Sequence, residues 1–150
     1  MQIKNRKAKF NYEFLESYNA GIVLSGTEIK SIRAGKASIA ESFCEFNEAG
    51  ELFTINMQID EYGWGTHYNH QPRAARKLLL HRRELKKLHK EVKNSGLTIV
   101  PTLLFINDHG LAKLKIALAR GKKQYDKREV IKDRENKRDL DRVQKSRNKY

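Results

Sequence analysis

Two apolar stretches on either side of a turn sequence place the strongest limit on what this chain can fold into. LTIVPTLLFI (97–106) and LAKLKIALA (111–119) flank NDHG, and Asn, Asp and Gly between apolar runs are a strong turn signal. The pattern predicts two antiparallel strands joined by a short turn. Pro101 lies inside the first strand and cannot donate a backbone hydrogen bond, which predicts a sheet edge or a bulge there.

Alternating apolar residues predict strands in the first half of the chain as well. Residues 9–18 place Phe10, Tyr12 and Phe14 at alternate positions, and the apolar run at 20–24 either continues this strand or pairs with it. A further hairpin is predicted around NEAGE, whose glycine marks the loop. The residues expected in its two strands are Ile39, Phe43 and Cys44, followed by Phe53, Ile55, Met57 and Ile59.

Two helices are predicted between these strands. Ser25 can cap a helix over 26–34, and Glu28 can close a capping box with it. The cations of this helix lie away from its apolar seam: Lys30 and Arg33. A second helix over roughly 81–94 is predicted from apolar residues at helical spacing: Leu85, Leu88 and Val92.

The predicted fold class is mainly β. Five or six strands and two short helices fit either two packed sheets or a small closed antiparallel barrel. Among barrels, the oligonucleotide-binding fold has the size of this chain and a suitable class of ligand.

The charge distribution divides the chain into a body and a basic tail. The net charge is +13 and the pI is near 9.9, which favours a polyanionic partner such as nucleic acid or an acidic membrane surface. From Arg120 to the C-terminus there are thirteen Lys and Arg against six Asp and Glu, so this fifth of the chain carries over half of the excess charge. We therefore expect a body over 1–120 and a tail over 121–150.

No residue constellation in the sequence predicts catalysis or metal binding. AGKAS lacks the first glycine of a phosphate loop, and Ala37 stands where that motif needs Ser or Thr. His67 and His70 have no further ligands nearby to complete a metal site. We expect no enzymatic activity, no cofactor and no metal.

The sequence predicts a cytoplasmic protein. Its single cysteine, Cys44, fits a reducing compartment. The N-terminal residues lack the apolar core of a signal peptide, and no run of eighteen apolar residues is present.

Basic clusters indicate an RNA-binding protein, although the residues alone leave a simpler interpretation open. Each cluster is either a phosphate-binding surface or a set of solvated charges. The clusters are Asn5-Arg6-Lys7 with Lys9, the helix face of Lys30 and Arg33, and Arg73-Arg76-Lys77 leading to His81-Arg82-Arg83. The aromatic residues of 62–70 either stack on splayed-out bases or pack into the core. The tail is either a disordered solubility segment or an arm that folds on RNA, with Tyr125 as its stacking surface.

Four motifs resemble the small protein B family, the SsrA-binding proteins of bacterial ribosome rescue. They are NRKA (5–8), AGIVLSGTEIKSIRAGKASI (20–39), RKLLLHRREL (76–85) and GKKQYDKR (121–128). The resemblance implies an oligonucleotide-binding-type barrel with flanking helices, a monomer without catalytic activity, and a tail that is disordered alone and helical on the ribosome. It implies binding to the tRNA-like domain of transfer-messenger RNA. It also implies delivery of alanyl-transfer-messenger RNA, with elongation factor Tu and GTP, to stalled ribosomes, where the tail enters the empty decoding centre and mRNA channel. A structural ribosome-associated protein is the alternative.

The resemblance also implies the residues that bind each RNA. Those expected to bind transfer-messenger RNA are Asn5, Arg6, Lys7, Asn19, Glu28, Lys30, Arg33, Arg76, Lys77, Leu79 and His81. Those expected to bind the ribosome are Lys122, Lys123, Tyr125, Asp126, Lys127 and Arg128. Many relatives have glutamate where this chain has Asn19. An amide therefore replaces the carboxylate through which those relatives could contact RNA.

Overall fold

The computed structural model describes residues 1–64, 69–122 and Arg134. Its elements in chain order are β1 (Gln2–Lys4), α1 (Arg6–Asn11), β2 (Tyr12–Ile22), α2 (Gly26–Arg33), β3 (Ala37–Ser38), β4 (Phe43–Phe46), β5 (Leu52–Ile55), β6 (Gln58–Ile59), β7 (Arg76–Leu79), α3 (Arg82–Ser95), β8 (Thr98–Ile106) and β9 (Ala112–Gly121). The prediction of a mainly β fold is confirmed, although the described residues form nine strands and three helices where five or six strands and two helices were predicted.

Seven of the strands form one antiparallel sheet. Their order is β1-β8-β4-β5-β7-β2-β9, and β8 also pairs with β9. The hydrogen bonding therefore runs in a closed ring through β8, β4, β5, β7, β2 and β9, and β1 adds to β8 beside the ring. The remaining strands, β3 and β6, pair with each other in a separate small sheet.

The core lies inside the ring and is closed by α2 and α3. Each fully buried aliphatic side chain contributes roughly 1.5–3 kcal/mol through removal of apolar surface from water. The largest of them are Ile32, Ile39, Leu52, Met57, Ile59, Leu78, Leu88, Ile99, Leu104, Leu114 and Ile116. No helix in the described part of the chain is both long and apolar enough to span a membrane.

The predicted hairpin at 97–119 is confirmed, including its bulge. β8 and β9 pair along their lengths, and the register shifts between Pro101 and Leu103. In the turn, the Asn107 side chain accepts hydrogen bonds from the backbone N–H groups of His109 and Leu111. Gly110 has φ 78°, a left-handed conformation that glycine adopts without strain.

The start of the second strand was predicted wrongly. Phe10 lies in helix α1, and the strand begins at Tyr12 and continues through Gly21 to Ile22. Asn5 starts the helix, because its side-chain oxygen accepts a hydrogen bond from the Ala8 N–H at 2.9 Å. Tyr12 and Phe14 lie in the strand as their alternation predicted, but the cap at Asn5 places Phe10 in the helix that precedes it.

The alternation predicted for Phe53, Ile55, Met57 and Ile59 was also wrong. Leu52 and Thr54 are the buried residues of β5, whereas Phe53 and Ile55 are half-buried on its other side. Asn56 then adopts φ 61°, which turns the chain and returns Met57 to the core. Ile39 is buried but follows β3 and belongs to no strand.

Both predicted helices are confirmed. In α2 the Ser25 side chain accepts from the Glu28 N–H and the Glu28 side chain accepts from the Ser25 N–H, which completes the capping box. α3 ends at Gly96, which has φ 64°. Its Leu88 is buried in the core, and Leu85 and Val92 pack against the same cluster.

Candidate nucleic-acid interface

A buried ion pair holds helix α2 against strand β7. The Arg76 side chain is 2% exposed and the Glu28 side chain is 9% exposed, and Arg76 Nε donates to Glu28 Oε2. The other Arg76 nitrogens donate to the carbonyl of Met57 at 2.6 Å and to those of Gln71 and Pro72, each at 3.1 Å. Arg76 therefore joins α2, β7 and the loop before β7 in one hydrogen-bonded unit.

The Glu28 carboxylate is fully engaged inside the protein. Burial alone would raise its pKa, but hydrogen bonds from the Ser25 N–H and from Arg76, together with the charge of Arg76, hold that pKa below its usual value. Glu28 and Arg76 were predicted as RNA-binding residues. The structure places both inside the fold, where they hold neighbouring residues in position and offer little surface to a ligand.

Asn5 has a similar buried position at the start of α1. Its Nδ2 donates to the carbonyls of Ile39 and Pro101 at 2.9 and 2.8 Å, while its Oδ1 caps the helix. Asn5 thus ties α1 to the bulge of β8. The next residues of α1, Arg6 and Lys7, are exposed, and Lys7 forms a 2.5 Å ion pair with Glu41.

The two cations of α2 are exposed and held by neighbouring groups. Lys30 Nζ lies 5.4 Å from the centre of the Tyr62 ring, within the range of a cation–π interaction. Arg33 donates to the carbonyl of Gly110 at 3.2 Å, in the β8–β9 turn. These contacts direct both side chains along the outer surface, as the helical pattern predicted.

The outer faces of β2, β7 and β9 meet at Gly21. This residue pairs with Leu79 of β7 on one side and with Lys113 of β9 on the other, so the three residues lie on the same face of the sheet. A Cβ atom at position 21 would lie 3.3 Å from the Leu79 Cβ and 3.7 Å from the Lys113 Nζ. Glycine therefore allows both side chains to lie across β2.

A groove of about 390 Å³ follows from this arrangement. Leu79 and Leu111, which are 52% and 58% exposed, contribute apolar surface to its lining, and Arg33 and Lys113 contribute two cations. Apolar surface beside two cations can hold a base or ribose while its phosphates contact the cations. Of the predicted site residues, the structure brings Arg33 and Leu79 together here.

Three lysines on the outer face of the sheet were not among the predicted site residues: Lys4, Lys113 and Lys115. Lys113 and Lys115 lie on β9, and the pairing places Lys115 between Asn19 of β2 and Leu103 of β8, which in turn pairs with Lys4 of β1. The signal was present in LAKLKIALA, where both lysines alternate with the core residues Leu114 and Ile116. Asn19 is exposed in this row, beside Lys115.

Comparison with known proteins decides the family. The model of the SmpB protein family matches residues 2–146 of this chain. The chain belongs to the SmpB family. It is 72% identical over 145 residues to the SsrA-binding protein of Christiangramia forsetii, which covers 97% of this chain and 92% of the relative. The SsrA-binding protein of Flavobacterium psychrophilum is 63% identical, with 97% and 96% covered.

A solved structure agrees with the SmpB assignment. It is described as "tmRNA-SmpB: a journey to the center of the bacterial ribosome", and its matching chain is 46% identical with a TM-score of 0.68. The match covers 87% of this chain and 94% of the other. Both the sequence and the fold of this chain are therefore those of an SmpB protein.

The remaining predicted residues lie partly within and partly outside the described part of the chain. Lys77 pairs with Glu51 at 2.5 Å and is partly exposed, and His81 is exposed at the start of α3. Lys122 contacts the body, because its N–H donates to Asn11 O at 2.8 Å and its Nζ to Lys9 O at 3.2 Å. The predicted tail residues that lie outside the described part of the chain are Lys123, Tyr125, Asp126, Lys127 and Arg128.

His70 has a structural role within the fold. Its Nδ1 and Nε2 lie 2.9 Å from Thr27 Oγ1 and Ile59 O, respectively, so both ring nitrogens are used within the fold. His67 lies outside the described residues. Within those residues, no group of three or more His, Cys, Asp or Glu side chains is arranged to hold a metal ion.

Proposed function

We propose that this chain binds the tRNA-like domain of transfer-messenger RNA and delivers it to stalled ribosomes in trans-translation. The observation that carries the proposal is the match, over nearly the full length of both chains, to SsrA-binding proteins at up to 72% identity. The structural neighbour, an SmpB chain with transfer-messenger RNA and the bacterial ribosome, supports the same function.

The groove around Gly21 is the proposed contact surface for transfer-messenger RNA. Leu79 and Leu111 would pack against a base or ribose, while Arg33 and Lys113 would neutralise adjacent phosphates. Along the same outer face, Lys4 and Lys115 add cations next to the Asn19 amide, which can hydrogen-bond to a base or a phosphate. The predicted contacts Arg6, Lys7, Lys30, Lys77 and His81 extend this exposed surface.

Three of the predicted RNA-binding residues act indirectly in this proposal. Asn5, Glu28 and Arg76 are buried and hydrogen-bonded within the body. Their role is to position α1, α2 and β7, so their substitution would weaken RNA binding through loss of structure rather than loss of contact.

The body is proposed to be a barrel of the oligonucleotide-binding type. The closed ring of antiparallel strands and the core inside it support this assignment. The body acts as a monomer in the cytoplasm, without catalytic activity. It forms a complex with elongation factor Tu, GTP and alanyl-transfer-messenger RNA.

The division between body and tail is proposed to lie after Lys122. β9 extends through Gly121, and Lys122 donates to Asn11 in α1, so these residues complete the body. The following residues, to the end at 150, form the tail that folds as a helix in the vacant decoding centre and mRNA channel. Tyr125 stacks on a base there, and Lys123, Asp126, Lys127 and Arg128 hold the start of the tail to ribosomal RNA.

Truncation after Lys122 tests this division of labour. The body alone should retain affinity for the tRNA-like domain within about threefold, because the proposed groove lies within the described body. Tagging of nascent peptides on stalled ribosomes should be abolished in a reconstituted assay. Complete loss of RNA affinity in a truncated body that still folds would show that the proposal is wrong.

A further inference from the structure

A second basic groove lies on the other side of β7 from the proposed RNA contact surface. It has a volume of about 600 Å³ and lies between α3, β7 and the loop that joins β4 to β5. The groove has an apolar floor that includes Leu80 and Leu85. Its basic lining consists of Lys77, Arg82, Lys86, His89 and Lys90. Of the α3 residues in this lining, Arg82 belongs to a basic cluster singled out in the sequence, whereas Lys86, His89 and Lys90 were not predicted to bind RNA.

The cations of α3 form a regular row along this groove. Arg82, Lys86 and Lys90 are four residues apart, so they share one face of the helix and follow each other at intervals of about 6 Å along its axis. That interval is comparable to the distance between successive phosphates of a nucleic-acid strand. The row therefore has the spacing needed to contact a phosphate backbone.

The row is not neutralised within the described body. Residues 1–64 and 69–122 provide no carboxylate within 4 Å of Arg82, Lys86 or Lys90. On another face of α3, by contrast, Lys87 pairs with Glu16 at 3.1 Å. Like charges at this spacing destabilise a helix, so the row lowers stability unless an anion neutralises it.

The acidic side chain that lines the groove is already paired. Glu51 lies 2.5 Å from Lys77, and hydrogen bonds from Lys77 and then Asn47 hold its pKa below the usual value. Its charge is therefore offset at one end of the groove, and the α3 row keeps its positive potential.

Leu79 connects the two grooves. It lines the α3 groove and also the groove around Gly21, so a strand bound at one can continue across β7 to the other. We propose that the phosphate backbone of transfer-messenger RNA continues from the Gly21 groove across β7 onto the row of Arg82, Lys86 and Lys90. This inference rests on the proposed function, because it extends the surface that binds the same RNA.

The double variant Lys86→Gln/Lys90→Gln in the full chain tests the extension. Glutamine is a good helix former, and both lysines are exposed, so the fold should be retained. Each phosphate contact changes the slope of log K against log salt by roughly 0.7–0.9, which corresponds to five- to eightfold in affinity at about 0.1 M salt. Affinity for the tRNA-like domain should therefore fall roughly 25- to 60-fold, and the slope by about 1.4–1.8.

The matched control is Arg83→Gln/Lys87→Gln. It removes two cations at the same spacing from the same helix, but neither residue lines the groove, and Lys87 already pairs with Glu16. Its affinity should change less than threefold. Equal losses of RNA affinity in the two double variants would overturn the proposal. A Lys86→Gln/Lys90→Gln variant that retains wild-type affinity for the free RNA and loses only ribosome binding would overturn it as well. A wild-type chain that does not prefer the tRNA-like domain to bulk tRNA would instead contradict the proposed function itself.

Discussion

Replacement of Arg76 by alanine should destabilise the body far more than replacement of its neighbour Lys77. Arg76→Ala leaves the Glu28 carboxylate buried without its cation and removes the donor from three backbone carbonyls. Breaking a buried ion pair on one side typically costs about 3–5 kcal/mol, because the remaining charge stays out of water. Since small domains have a total stability of about 5–15 kcal/mol, the variant should fold only marginally.

Lys77→Ala is the control on the adjacent residue. Lys77 also forms an ion pair, with Glu51, but the two side chains are 43% and 39% exposed. Solvent screens such a pair, so its loss should cost much less than the loss of the buried Arg76 pair. The comparison separates burial from charge, because both substitutions remove one cation from the same strand.

Urea unfolding followed by far-ultraviolet circular dichroism provides the measurement. Fluorescence is a poor probe here, since Trp64 is the single tryptophan and is already 86% exposed in the folded protein. The midpoint for Arg76→Ala should shift well below that of Lys77→Ala, with an unchanged slope. Equal midpoints for the two variants would show that Arg76 does not hold α2 and β7 together.

Three further predictions address the cap, the buried carboxylate and the tail. Asn5→Ala removes a helix cap and two hydrogen bonds to the carbonyls of Ile39 and Pro101, so the free energy of unfolding should fall by about 2–4 kcal/mol. A loss below about 0.5 kcal/mol in chemical denaturation would contradict these contacts. The folded-state pKa of Glu28 is lowered, so its contribution to stability should be present above its unfolded pKa of about 4.3 and disappear as the pH falls through the folded value. Glu28→Gln should flatten this part of a curve of unfolding free energy against pH. A curve identical to that of the wild type would exclude the contribution. Tyr125→Ala should leave affinity for free transfer-messenger RNA unchanged and reduce peptide tagging; tagging at the wild-type rate would remove the stacking role.

The sequence was sufficient where structure is decided by neighbouring residues. The hairpin of β8 and β9 follows from NDHG and the apolar runs beside it, and the start of α2 follows from Ser25 and Glu28. In both cases the residues that form the hydrogen bonds lie within four positions of each other.

Features that depend on distant contacts could not be predicted in the same way. Asn5 caps α1 while binding carbonyls 34 and 96 residues away, and Arg76 reaches Glu28 across 48 residues. Asn56 has a left-handed backbone conformation that changes which of the following residues face the core, and the spacing of apolar residues gives no sign of this change. The lysines of β9 could have been predicted, because their alternation with core residues is visible in the sequence and indicates an exposed basic row.

A gel-shift titration with the full chain measures whether the basic surface recognises transfer-messenger RNA specifically. The tRNA-like domain of transfer-messenger RNA and bulk tRNA would each be titrated at about 50 mM and about 200 mM salt. We expect affinity for both RNAs to fall with salt and the preference for the tRNA-like domain to persist at the higher concentration. Equal affinities for the two RNAs at both concentrations would show that the basic surface binds RNA only through its charge, and that the proposed recognition of transfer-messenger RNA is wrong.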